Sequence, residues 1–420
     1  MKSLVLLLVF SLQALPADVS SGDMLMRAVM LGDLKTMESL LTAGLNPNLP
    51  LRDGQTPLSF AMLGGQTQVV ELLLAWHADP NAPMDVRSEN SGTPLQYAAQ
   101  TGNMRMASTL IAGGAQLNTK APKGRTSLHA AVANNHLDML RLLIENGVDL
   151  NARDAEGASP LDDAVWRGSL DVVAILLAHG ARLNEADTQT GATPINEAAY
   201  RGDTRLVRYL LQLHPELGTA DQRGYSPLDN AVRMGHEDAA LLVLEAEPKE
   251  RHTPQFLGKT MDDAIRKDAS LLVEALLRHG TQPNGILPSG YTPLDAAAFA
   301  GAVKAVAILL NNGADPNLSG GDGTTPLEDA AVKGFDSVAG MLLDHGAQVN
   351  YINSGSGTTA LYAAASFGKG EVVKLLLNRG ANPNLCGTNR KSPYQAALEN
   401  GFGDVAAEIK SRGGANICRQ

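Results

Sequence analysis

The chain reads Gly290-Tyr291-Thr292-Pro293-Leu294, and the next copy of the same phrase is Gly323-Thr324-Thr325-Pro326-Leu327. The pattern also stands at Gly54–Leu58 and Gly191–Ile195, and its Thr or Ser recurs at Thr93, Thr126, Ser159, Ser226, Thr359 and Ser392. From Thr56 to Ser226 the steps are 37, 33, 33, 34 and 33 residues, a step of 66 leads to Thr292, and 33, 34 and 33 reach Ser392. The double step hides a degenerate copy near Thr260, with Asp263, Ala264 and the helical run Leu271–Leu277 in phase. Counting one period back from Thr56 lands on Asp23, where Ala28, Gly32 and the run Met37–Leu41 fall in place. Self-similarity at a fixed period marks a repeat array. Here it runs from about residue 20 to the end, with about a dozen units, roughly eleven of them complete.

Each unit explains itself physically. Thr or Ser before Pro starts a helix, because the hydroxyl caps the first amides and proline suits the first turn. Alanine pairs follow at packing positions (Ala98 and Ala99, Ala198 and Ala199, Ala363 and Ala364), so neighbouring helices can approach closely. Glycine then ends the helix, as at Gly168, Gly202, Gly235, Gly301 and Gly334, by taking the left-handed conformation. A second helix carries an aliphatic stripe, at Val69–Leu74, Val172–Leu177 and Val372–Leu377, and a Gly-Ala-Asp-Pro-Asn turn (Gly313–Asn317) leads into the next unit. No unit buries its apolar face alone, so the units must stack.

Through Thr126-Ser-Leu-His-Ala-Ala131 and Gly313-Ala-Asp-Pro-Asn317 the chain closely resembles the ankyrin repeat, over nearly all of residues 18–420. The resemblance implies an all-α fold: an ankyrin-repeat solenoid of about eleven helix-turn-helix units with short β-hairpin-like turns. Three departures stand out: four extra residues around Pro80 to Asn90, His214-Pro215-Glu216 in place of Gly-Ala-Asp, and the polar, proline-containing stretch Glu247–Gly258. The last of these divides the chain into a block of repeats at 18–245, an irregular or degenerate segment at 246–262, and a second block at 263–420. Asp404, Glu408, Lys410 and Arg412 put charge on the closing helix, as a capping repeat requires.

Composition narrows the function. Of 420 residues 44% are apolar and 19% charged, enough to build a core, while the net charge of −10 speaks against a dedicated nucleic-acid binder. Residues 1–17 read as a signal peptide: Lys2 is the positive region, Ser3–Leu15 is almost wholly apolar and too short to span a bilayer comfortably, and Ala17 is the cleavage site. A first helix of the fold or an uncleaved anchor is the alternative. No cysteine follows the apolar stretch, which argues against a lipoprotein, and no later segment is apolar enough to insert in a membrane. The expectation is an exported monomer, periplasmic or secreted.

Catalytic and cofactor chemistry is not indicated. The nine histidines include no His-x-x-x-His or His-Glu-x-x-His spacing, and there is no nucleophile elbow, phosphate loop or dinucleotide fingerprint. His136 and His236 begin second helices, and His179, His279 and His345 precede turns, so their positions follow the repeat. Family resemblance gives His129 a structural hydrogen bond. The carboxylate pairs Asp162/Asp163, Asp262/Asp263 and Glu328/Asp329 sit beside the capping turn, where acids favour the helix dipole. No enzyme, cofactor or metal is expected; the contrasting reading is an enzyme or metal protein using the irregular segment 246–262, which contains Glu250 and His252. Cys386 and Cys418 occupy comparable places in adjacent units. Strict register would hold them too far apart to bridge, but the chain end after the last unit is free, which leaves a disulfide and two thiols both open.

The resemblance places a concave binding side at the turn tips and the exposed face of each first helix. Carried over by position, its variable sites here are Trp166-Arg167, Tyr200-Arg201, Arg233-Met234 and Phe299-Ala300, with Arg223 and Tyr225 at a turn tip. Trp, Tyr and Arg dominate interface hot spots. The reading is a protein-binding groove over roughly residues 155–300 for a partner with an acidic, partly apolar surface. The function expected is a non-enzymatic scaffold, or, more sharply, a periplasmic inhibitor or immunity protein, or a secreted effector binding host proteins.

Overall fold

The computed structural model describes residues 21–49, 55–85, 92–121, 123–321, 323–353, 355–386 and 390–416. The signal segment lies outside the described residues, as do Cys418 and part of the extended turn near Asn90. Among the described residues the fold is all-α, twenty-four α-helices arranged as twelve pairs, with no strand. Chain contacts gather the residues into two units: one runs to Ala198 and includes Asp221–Arg223, the other holds Ala199–Ala220 and everything from Gly224 on.

The capping chemistry is as the sequence demands. The Thr56 hydroxyl accepts from the Ser59 amide (3.1 Å) while the Ser59 hydroxyl accepts from the Thr56 amide (2.9 Å). In the second unit Ser226 and Asp229 make the same reciprocal pair, at 3.2 and 2.9 Å. Each such cap contributes about 1 kcal/mol. The helix Pro293–Ala300 closes on Gly301 at φ +69°, and the Phe335 ring of the next repeat lies directly over that glycine.

Packing follows the small residues. In the first unit the first helices Pro94–Thr101, Ser127–Ala133 and Pro160–Trp166 stack in succession, and in the second unit Pro254–Arg266, Pro293–Ala300, Pro326–Lys333 and Ala360–Ser366 do the same. Ala98, Ala99, Ala297, Ala298, Ala330 and Ala331 are buried at those contacts, and Val172, Val173 and Leu176 bury the stripe of a second helix.

Polar links tie repeat to repeat. In the second unit Asn284 accepts from the Asp315 amide (2.8 Å) and donates to the Gly313 carbonyl (3.0 Å). Asn317 does the same with Gln348 (2.8 Å) and Gly346 (3.1 Å), Asn350 with Asn382 (2.8 Å) and Gly380 (3.2 Å), and Asn384 with Ala415 (3.0 Å) and Gly413 (3.1 Å). In the first unit Asn48 serves Asp79 and His77 likewise. The turns are hairpin-like, Asp154 N–H to Ala158 O at 3.0 Å, and adjacent tips join through Ala155 N–H to Lys123 O at 2.9 Å.

The segment at 246–262, expected to be irregular or degenerate, forms a short 3₁₀ turn Lys249–Arg251 and then a helix Pro254–Arg266 of 13 residues. Its cap is Thr253, whose hydroxyl accepts from the Phe256 amide at 3.2 Å, and Thr260 is buried inside the helix. The repeat therefore keeps its helix pair and lengthens the first member.

Candidate protein-binding face

In the first unit Trp166 ends the helix Pro160–Trp166 with 55% of its surface exposed, and Arg167 follows as an exposed cap. Both line a cavity of about 400 Å³ whose other walls include Glu156, Asp162, Asp163, Asp187 and Glu197. This part of the face is thus an aromatic residue in an acidic frame rather than a basic patch. Asp162 accepts from the Ser159 amide and hydroxyl, both at 2.8 Å, and burial followed by the charge of Asp187 pushes its pKa up to about 6. Asp163 is held by Arg125, which also lies 3.4 Å from buried Asp154. Arg223 is exposed, and its guanidinium is hydrogen-bonded to the buried carboxylate of Asp221 at 2.9 Å.

In the second unit Tyr200 is half-buried and Arg201 exposed at the end of Pro194–Arg201. Tyr225 and Arg233 come together, the guanidinium 4.0 Å from the ring centroid, which holds the cation in place through the ring's negative face. Met234 is 46% exposed and Phe299 48%. Lys333, which the sequence reading did not single out, sits 4.0 Å over the Phe299 ring. Arg266 and Lys267 were missed as well: they are exposed where Gly is replaced by Asp268, a non-glycine residue at φ +47°.

His129 is fully buried. Its Nε2 donates to the Ala158 carbonyl (3.2 Å), so Nδ1 accepts from the Thr126 amide (3.2 Å) and hydroxyl (2.9 Å). Burial holds its pKa below the ordinary histidine value. The position three residues after the cap makes the same reach in two other repeats: Gln96 donates to Thr119 O and Arg125 O, and Glu328 accepts from Asn353 and Thr358. These polar side chains are bonded to the next turn, and so is the carboxylate of Asp262, to Ser289, while its neighbour Asp263 is held by Arg266 within the same helix. Around the irregular segment His252 packs edge-on against His279, ring centroids 4.8 Å apart, and His279 lies 3.3 Å from Glu245. Among the described residues no group of three histidines, cysteines or acids is arranged to hold a metal ion, and no helix is long and apolar enough to cross a membrane. Cys386 is disulfide-bonded, and Cys418, the one other cysteine of the sequence, lies outside the described residues.

Helix pairs with a Thr-Pro cap, an alanine seam and an asparagine-clamped turn define a repeat protein of the ankyrin class. The family model for ankyrin repeats in three copies matches residues 25–121, 110–187, 183–252 and 261–353, and the single ankyrin-repeat model matches 356–388. The chain belongs to the ankyrin-repeat family, whose repeats point to a protein-interaction scaffold. It is 40% identical over 85 residues to the human ARF GTPase-activating protein GIT1, which is 20% of this chain and 11% of that protein. It is 34% identical over 106 residues to mouse cyclin-dependent kinase 4 inhibitor B, 25% of this chain and 78% of that one. Among solved structures it is similar to the ankyrin repeat domain of Bcl-3, with 27% identity and a TM-score of 0.49 over 55% of this chain and 100% of that one.

Proposed function

We propose that the chain is an exported, non-enzymatic scaffold that binds a partner protein on the exposed ends of its first helices. One observation carries the reading. Beside the caps, polar side chains such as His129 and Glu328 are spent on bonds to the following turn, and others such as Ser59 and Asp229 on the cap itself, whereas Trp166, Met234 and Phe299 at the helix ends are left about half exposed. Exposed apolar side chains that gather into a contiguous patch mark sites of interaction. A sharper form of the same function is a periplasmic inhibitor or immunity protein, and a secreted effector binding host proteins uses the same surface. The protein acts as a monomer, without cofactor or nucleic acid.

The test is cross-linked capture from the native envelope, comparing the full chain with a Trp166→Ala, Tyr200→Ala, Arg201→Ala variant of unchanged helicity. One partner kept by the wild type and lost by the variant supports the reading; partners held equally by both overturn it. Export is checked by cell fractionation and N-terminal sequencing, with Asp18 expected as the first residue of the mature chain.

A further inference from the structure

Five successive first helices of the second unit end alike. The terminal pairs of Pro227–Met234, Pro254–Arg266, Pro293–Ala300, Pro326–Lys333 and Ala360–Ser366, counted as the two residues before the left-handed position, contain Arg233, Arg266, Lys267 and Lys333 and no carboxylate. Met234, Phe299 and Phe367, at 46%, 48% and 55% exposure, stand at the same places. Neighbouring members of this series pack on one another in order, so equivalent positions fall on one face. The corresponding pairs of the first unit, from Met30-Leu31 to Trp166-Arg167, hold a single cation, Arg167. In a chain of net charge −10 these terminal positions carry four cations, of which Arg266 is ion-paired with Asp263 of its own helix.

The cations are also positioned. Arg233 lies over Tyr225 and Lys333 over Phe299, each at 4.0 Å, while Arg266 is tied to Asp263 one turn earlier in its own helix. A cation resting on a ring keeps its outer N–H groups for a carboxylate and loses less side-chain entropy on binding. With packed helices about 8–10 Å apart, four steps cover roughly 32–40 Å, the length of about ten to twelve residues of extended chain.

We propose that this row docks an extended acidic segment of a partner protein, about a dozen residues long. Its carboxylates meet Arg233, Arg266, Lys267 and Lys333, and its apolar side chains rest on Met234, Phe299 and Phe367. The proposal rests on the scaffold reading and adds which half binds and what it binds. The negative remainder of the surface repels such a segment and guides it to this face.

The probe is a fluorescein-labelled peptide of Glu-Glu-Leu repeats about a dozen residues long, titrated by anisotropy against the full chain, with a Lys-Lys-Leu peptide and a short single-stranded DNA alongside. The acidic peptide is expected to bind at low salt, to weaken as salt rises, and to lose at least about tenfold in affinity with Arg266→Glu/Lys333→Glu. Arg141→Glu, on an exposed second-helix site of the first unit, is expected to leave affinity within about twofold. If the reversal variant loses helicity, Arg266→Gln/Lys333→Gln replaces it, with a smaller loss expected. Equal binding by the reversed protein, an equal loss with Arg141→Glu, no binding by the acidic peptide, or binding by DNA as tight as the peptide's each overturns the proposal. Because envelope capture is read with a different variant, the docking row can fail while partner capture stands, and the two failures are told apart.

Discussion

Alanine at Gly301 would place a Cβ 2.7 Å from the Phe335 ring, closer than real Cβ atoms approach, on a residue whose φ is +69°. Two costs combine. The left-handed backbone costs an L-residue roughly 1–2 kcal/mol, and crowding the ring adds about 1–3 kcal/mol. Gly235 separates them: its φ is +78° but nothing lies within 4 Å of its Cβ position, so Gly235→Ala carries the backbone cost alone. Urea unfolding followed by circular dichroism is expected to place Gly235→Ala about 1–2 kcal/mol below wild type. Gly301→Ala should fall a further 1–3 kcal/mol or so. Hydrogen exchange in the second helix Val303–Asn311 should quicken more for Gly301→Ala than exchange in Glu237–Ala246 does for Gly235→Ala. Shortening the ring with Phe335→Leu should return part of the excess. Should the two glycine variants prove equally stable, the ring-over-glycine contact is not a close one and the argument fails.

Asn317→Ala removes an acceptor for Gln348 and a donor for Gly346, and is expected to cost about 1–3 kcal/mol by urea titration, against near zero for exposed Asn400→Ala's single bond to Ser366. Asp162→Asn should stabilise the chain at neutral pH by no more than about 3 kcal/mol. The carboxyl pKa is raised in the folded state, so its favourable contribution is full below the ordinary carboxylate value and is lost as pH rises through about 6; a melting-temperature profile of the variant that parallels wild type across that range refutes this. Burial lowers the pKa of His129, and burial with the neighbouring charge of His279 lowers that of His252, where Glu245 and Glu250 oppose and Lys249 adds to the shift. The unfolded chain then binds more protons, so stability should fall as pH drops below about 6.5, and His252→Gln should flatten that fall. Thiol titration of the denatured, unreduced protein should find no free thiol, consistent with a bridge from Cys386 to Cys418, and one reactive thiol per cysteine would exclude it.

The period, caps and alanine seam were open to reading because each is local: a hydroxyl, a proline and a glycine at fixed spacing dictate backbone without help from distant residues. The degenerate copy was found by its period, with Asp263 and Ala264 in its first helix and Leu271–Leu277 in its second, but its cap was not. Strict periodicity pointed to Thr260, yet the working cap is Thr253-Pro254, seven positions earlier, and the longer helix absorbs the difference. The exposure of Trp166, Met234 and Phe299 was legible, but the charge around them was not. Trp166 and Arg167 look basic and aromatic in sequence, whereas two of the acids that frame them, Asp187 and Glu197, arrive from the following repeat. Lys333 gained meaning only from a ring in the preceding repeat, Phe299. Contacts a full period away are what sequence spacing alone does not rank.

The asparagine clamps have a bearing on ancestry. Each grips backbone atoms of the next turn, and backbone is the same whichever copy supplies it. Excising residues 318–350 would bring Asn317 opposite Gly380 and Asn382, the partners that Asn350 holds now. A crossover between misaligned copies can therefore add or drop a whole period and find every clamp already matched. Such a lineage changes its repertoire by trading modules, and length becomes a trait that drifts more easily than the shape of any one copy.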